Sequence, residues 1–198
     1  ANYVSAMDTV AFGDVVSRKW LDNDFYGATS SWTYENDGQR VQLGGGVHRY
    51  EGAHFGRVIW ANNPNVSTLD GDYYTGDAVK DDANIYAKYV VTSNNLLVYA
   101  DAQYRYVNHS STGGSATGPA NFDRTFNFFN PKVGLTYHLG GNQVFGAYAG
   151  VGHREPNRTD LQYAADVNAL QAERMVDMEF NFRNSGEKWA FDVNAYRQ

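Results

Sequence analysis

The groups best suited to chemistry in this 198-residue chain are five histidines, 22 acids and 16 lysines and arginines. They are densest between Gly150 and Leu161, where His153, Arg154, Glu155, Arg158 and Asp160 crowd around Pro156. A histidine beside a carboxylate can act as an acid–base pair, and His48, His54, His109 and His138 are further candidates. The frames that catalysis requires are missing: no Gly-x-Ser-x-Gly elbow, His-Glu-x-x-His pair or phosphate loop occurs. The chain therefore reads as a protein that is not an enzyme and needs no cofactor. Cysteine is absent, which removes thiolate nucleophiles, thiolate metal sites and disulfides together.

A second cluster is acidic. Asp70, Asp72 and Asp77, with Asp81 and Asp82 beyond, offer the hard oxygen ligands that calcium prefers. Their spacing lacks the closing glutamate of an EF-hand loop, so the simpler reading is a solvated acidic loop. Calcium at Asp70, Asp72 and Asp77 is the alternative. A formal charge of −6 argues against a nucleic-acid partner.

The elements that must position these groups are strands. Thirty aromatic residues in a chain of mean hydropathy −0.55 are too many for an ordinary helical globule. No apolar run approaches the ~20 residues of a membrane helix. Period-2 alternation predicts eight strands near 24–36, 39–50, 83–92, 96–107, 127–138, 143–152, 174–183 and 188–198. Val176, Met178, Phe180 and Phe182, for example, alternate with Met175, Asp177, Glu179, Asn181 and Arg183. Tight turns at Asn36-Asp37-Gly38, Ser93-Asn94-Asn95, Leu139-Gly140-Gly141-Asn142 and Asn184-Ser185-Gly186-Glu187 have hairpin chemistry, with Gly and Asn supplying positive φ. The intervening connections, 51–82, 108–126 and 153–173, are several times longer. Alternating short turns and long loops is the wiring of an outer-membrane barrel. Tyr26, Trp32, Tyr34, Tyr89, Tyr106, Tyr137 and Trp189 near strand ends suit interfacial girdles. The fold class expected is an all-β, antiparallel, up-and-down transmembrane β-barrel in the bacterial outer membrane.

Particular stretches carry a closer likeness. Phe128-Phe129-Asn130-Pro131-Lys132-Val133-Gly134-Leu135-Thr136-Tyr137, the run from Tyr148 to Leu161, and Glu173-Arg174-Met175-Val176-Asp177-Met178-Glu179 resemble strands of TonB-dependent outer-membrane receptors. Lys19 to Gly27 and Gly44-Gly45-Gly46 fit the middle of the same barrel. The resemblance is nearer to the receptors for iron chelates, haem or cobalamin than to the glycan-importing branch. It implies a 22-stranded barrel filled by an N-terminal plug, of which this chain supplies about eight strands. No plug, energy-coupling box or aromatic terminal residue is found, and Gln198 stops inside an alternating strand. The competing reading is a complete small barrel with a structural or adhesive role.

On the receptor reading, the implied partners are outer-membrane lipid, a small nutrient ligand, the TonB energy-transducing complex acting through the plug, and a possible surface lipoprotein. The resemblance places ligand binding in the loops and upper lumen, where Tyr50, His54, Phe55, Trp60, Tyr73, Tyr74 and His109 could stack on or hydrogen-bond a chelate. Arg154, Glu155, Arg158, Glu173 and Arg174 are expected to face the plug, arginine being able to grip carboxylates bidentately.

Overall fold

The computed structural model describes residues 14–62, 71–115 and 118–198. They form one antiparallel, up-and-down sheet. Its strands are β1 (Val15–Asn36), β2 (Gln39–Ala61), β3 (Asp72–Ser93), β4 (Leu96–Ser115), β5 (Gly118–Pro119), β6 (Phe122–Gly140), β7 (Gln143–Arg154), β8 (Glu173–Ser185) and β9 (Ala190–Arg197). Neighbours in sequence are neighbours in space, except that the two-residue β5 lies against the end of β4 and lets β6 pair with β4. Among the described residues β1 and β9 are the two edges of this open sheet.

The tight turns fall where the residue types require. Asp37 and Gly38 take φ of 43° and 75°, as the twist of a two-residue hairpin demands. Asn94 (47°), Gly140 (107°) and Gly141 (59°) serve the next two hairpins. The last turn departs from expectation: Gly186 has no left-handed backbone, and its N–H donates to the Trp189 carbonyl at 2.7 Å.

Two of the three expected loops are corrected. Strands β1 to β4 and β6 run 19 to 23 residues rather than about ten. Most of 51–82 and 108–126 is strand. Between β2 and β3 only 62–71 lies outside the ladder, and there only Asn62 and Gly71 are described. The third connection, 155–172, is a true loop, carrying α1 (Arg158–Tyr163) and one 3-10 turn (Val167–Ala169).

The ladder register assigns the faces, because directly paired residues share one. Ile85 pairs with Tyr104, Tyr104 with Phe129, Val133 with Ala149, and Ala149 with Met178. These residues lie on one face, the outer one, where Ile85, Tyr104, Phe129, Val133 and Met178 are exposed. On the other, inner face, Asn84 pairs with Arg105, Asp101 with Lys132, Tyr148 with Glu179, and Arg183 with Asp192. An apolar exposed face backing a polar one inverts the arrangement of a soluble sheet.

The outer face changes character along the strands. Above Val47, Ala83 and Tyr106 the next outward positions are Arg49, Asp81 and Asn108. There Arg49 donates to Glu51 at 2.6 Å and to Asp81 at 3.3 Å. From the Tyr34 and Tyr89 level to the Tyr26 level, eight residues separate the two aromatic rows. At ~3.3 Å per residue and a ~45° tilt this is roughly 20 Å, most of the ~25 Å height of an apolar belt. His54, His109 and the 155–172 loop all lie beyond it.

Inner-face glycines make room for tyrosines. Tyr99 lies flat over Gly134, its cross-strand partner, so closely that a methyl there would fall 2.5 Å from the ring. Tyr86 covers Gly44 in the same way.

Candidate functional site

Above the apolar belt, the inner face is crossed by residues 155–172, which fold back over the sheet as a strap. Its cause lies in β6 and β7. Their ladder ends at Lys132 and Gly150, where Pro131 has no N–H with which to continue it. β7 then stays paired only with β8, and His153 stacks on the Phe128 ring (5.6 Å, 7°) and bonds Asn130 at 2.9 Å. The chain leaves the sheet at Glu155-Pro156, directed across the inner face.

Glu155 roots the strap. Its carboxylate, 9 % exposed, accepts from Lys80 Nζ at 2.6 Å and from Arg105 Nη1 and Nη2 at 2.9 and 3.1 Å. Arg105 also holds Asp82, so Lys80, Glu155, Arg105 and Asp82 form one alternating chain of charge over β3 and β4. Burial alone would raise the Glu155 carboxyl, but the hydrogen bonds from Lys80 and Arg105 outweigh it and hold it down to about 2.

Further along, Asn157 caps α1 in a reciprocal box with Asp160: each side chain bonds the other residue's backbone N–H at 3.0 Å. Leu161, 1 % exposed, is the apolar anchor. Gln162 donates to Ser115 on β4 at 2.7 Å, and Arg124 on β6 donates to the Leu170 carbonyl at 2.9 Å. Ala172 closes over Val107, Phe126 and Phe128.

Arg158 reaches β2, where its Nη1 lies 2.8 and 2.9 Å from the two ring nitrogens of His54. A donor nearly equidistant from both ring nitrogens lies over the imidazole face and not along either in-plane lone pair, so the guanidinium is stacked on the ring. Burial, then the charge of Arg158, lowers the His54 pKa against the opposing pull of Asp77. His109, packed edge-on against Phe122 at 5.0 Å, is lowered to about 4 by burial and by Lys80 and Arg158.

The candidate binding residues are thereby sorted. His54 and His109 meet the strap, and Tyr50 shares their face, paired with Lys80. Tyr73 and Tyr74, edge to face at 5.0 Å, crowd Gly56 at a register shift. Phe55 is on the outer face, stacked on Trp20 at 5.8 Å, and Trp60 is half exposed near the end of β2. All seven lie on strands rather than in loops. Asp70 lies outside the described residues; Asp72 bonds Arg57, and no group of three metal-capable side chains occurs among the described residues.

The plug-facing set divides too. Arg154 and Glu173 pair with each other at 2.8 Å across β7 and β8, largely solvated. Arg174 is opposite His153 and so on the other face from Glu173. Glu155 has its carboxylate bonded to the wall, by Lys80 and Arg105. Sequence reading missed Lys80 because its segment passed for loop, and it missed Arg105 as a partner because nothing local links it to Glu155, fifty residues away.

An open sheet with a lipid-like outer face, a polar inner face and an inward strap is a piece of a large barrel's wall. A sequence model of TonB dependent receptor-like β-barrels matches residues 2–198. The chain belongs to the TonB-dependent receptor family. This makes it a protein of the Gram-negative outer membrane, its outer face toward lipid and its inner face toward the lumen.

Solved structures agree on the fold. The unliganded ferric citrate transporter FecA is 10 % identical and matches over 93 % of this chain and 28 % of its own, with a TM-score of 0.65. The copper transporter OprC is 13 % identical, over 91 % of this chain and 30 % of its own, with a TM-score of 0.75. The FrpB iron transporter from Neisseria meningitidis is 13 % identical, over 89 % and 28 %, with a TM-score of 0.62. The chain thus spans less than a third of these receptors. Among curated proteins, none matches it.

Proposed function

We propose that this chain is wall and strap of an outer-membrane receptor that binds a scarce nutrient, such as an iron chelate, haem or cobalamin, and imports it with energy supplied through TonB. The observation that carries the reading is the strap held by charge across a lumen-facing wall. A nutrient entering such a lumen meets His54, His109, Tyr50 and the strap before anything deeper. The outer membrane holds no ATP, so uphill import needs work from an inner-membrane transducer acting on a plug. The solvated Arg154–Glu173 pair is the group we assign to plug contact. No catalytic step is required of any residue.

The test is nutritional. A strain lacking the intact receptor, grown with ferric chelates, haem or cobalamin as sole supply, should lose uptake of one of them and regain it on complementation. Expression of the receptor rising under iron starvation points to the iron compounds. Unaltered uptake of all three classes contradicts the proposal.

A further inference from the structure

The charges beneath the strap do not balance. Lys80 and Arg105 are matched by Glu155 and Asp82. Arg158 is left over, with no carboxylate in ion-pair reach among the described residues. The acids around it are placed elsewhere: Asp160 accepts from the Asn157 N–H, and Asp77 stands on the outer face, paired with Ala53. The Arg158 guanidinium is also oriented. Nη1 lies on the His54 ring, while Nε and Nη2 are buried without a partner among the described residues. Those two atoms are the side-on edge of the group, a pair of parallel N–H donors spaced for the two oxygens of a carboxylate. Elsewhere in the chain this edge is filled. Arg183 Nε and Nη2 donate to the two oxygens of Asp192 at 2.9 and 3.2 Å, and Arg105 turns the same edge to Asp82. On Arg158 it is open. A carboxylate there would satisfy both donors and the charge, whereas water would satisfy only the donors.

A third unpaired group lies in the same part of the wall. Ser111 is 2 % exposed, and its hydroxyl has no partner among the described residues. It stands on the inner face of β4 opposite Ala78, in the row between that of His109 and that of His54, Gly76 and Gly113. Arg158 bears on both His54 and His109, the rings on either side of that row. We propose that the Nε–Nη2 edge of Arg158, together with the Ser111 hydroxyl, binds one carboxylate arm of the imported nutrient. The two carboxylate oxygens fill the Arg158 fork, and one of them also accepts from Ser111. Only a slender arm fits, because both donor atoms are enclosed although Arg158 itself keeps part of its surface in water. Lys80 and Arg105 do not compete for it, since Glu155 occupies them. The site rests on the import reading and narrows it. It favours nutrients with free carboxylates, such as haem through its propionates or an iron chelate with an uncoordinated carboxyl group, over cobalamin, whose side arms are amides.

The experiment needs neither transport nor an identified nutrient. Propionate, and propionamide as its uncharged counterpart, are titrated against the intact receptor in lipid bilayer discs, with binding read by saturation-transfer NMR on the ligand methyl group. Propionate should bind saturably and propionamide should not. Arg158→Lys keeps the charge but loses the fork, and should weaken propionate about tenfold or more, the loss of one charge-assisted hydrogen bond. Ser111→Ala, a smaller change that carries the test should Arg158→Lys not fold, should weaken it severalfold. Arg40→Lys, at the exposed pair with Glu35, should leave it unaltered. Equal binding of propionate and propionamide, or an affinity unchanged in Ser111→Ala and in a folded Arg158→Lys, overturns the site. So does absence of propionate binding, including the case in which an acid of the receptor's own plug already fills the fork. Loss of nutrient uptake in the deletion strain without propionate binding contradicts the site alone, whereas propionate binding with unaltered uptake contradicts the import reading.

Discussion

Glu155 and Arg154 are adjacent, charged and paired, yet the structure gives them unequal weight. Arg154 and Glu173 are 72 % and 64 % exposed at the side chain, and solvent-exposed pairs contribute little because water already satisfies both charges. Glu155 is 8 % exposed at its side chain, and its removal leaves Lys80 and Arg105 facing one another with less compensation. Glu155→Gln should destabilise the strap by about 2–3 kcal/mol, the scale of charged hydrogen bonds lost at one buried site. It should show as faster proteolysis between 155 and 172, while Arg154→Ala leaves cleavage at the wild-type rate. The pH dependence of the root follows from the same residue. A carboxyl lowered to about 2 stabilises the root fully above its ordinary value of 4.5, and this is lost as pH falls from there toward 2. Hydrogen-exchange protection of the strap backbone, corrected for the intrinsic rate, should therefore hold at pH 4.5 and fall only near pH 3.

At the scale of elements, the strands are specified by alternation wherever one face meets lipid. Lysine in place of Ile85, in the apolar belt, should cost about 2–4 kcal/mol in bilayer folding titrations, the range for a basic residue near the midplane. The same change at the inner-facing Asn84 should fall well below that. Gly134→Leu should cost about 1–3 kcal/mol in the same titration by displacing the Tyr99 ring, an overpacking penalty. The sequence shows the lower strand ends well: β2 and β4 begin at Gln39 and Leu96, as the hairpin turns require. The upper ends extend beyond expectation because the contrast between faces vanishes above the belt. At Arg49, Asp81 and Asn108 polar residues occupy outward positions, so a strand there has the hydrophilic pattern of a loop. Lys80, His54 and His109 fall in that stretch, which hides the wall side of the site from any reading by periodicity. The strap side was legible as a charged patch around Pro156, but its partners lie as far as 104 residues away.

For the whole molecule, everything rests on one wall having lipid on one side and lumen on the other. That division gives the strap its place and makes the Lys80–Glu155–Arg105–Asp82 chain a lumenal feature. Strand β8 offers the sharpest test, since Val176, Met178, Phe180 and Phe182 alternate with Asp177, Glu179 and Asn181 over a fully paired stretch. Single cysteines at 176 to 182 of the intact receptor in bilayers, each carrying a fluorophore, should be quenched alternately. Even positions should respond to brominated lipid and odd positions to an aqueous quencher. Quenching without a two-residue period, or with lipid reaching the Asp177, Glu179 and Asn181 positions, contradicts the account.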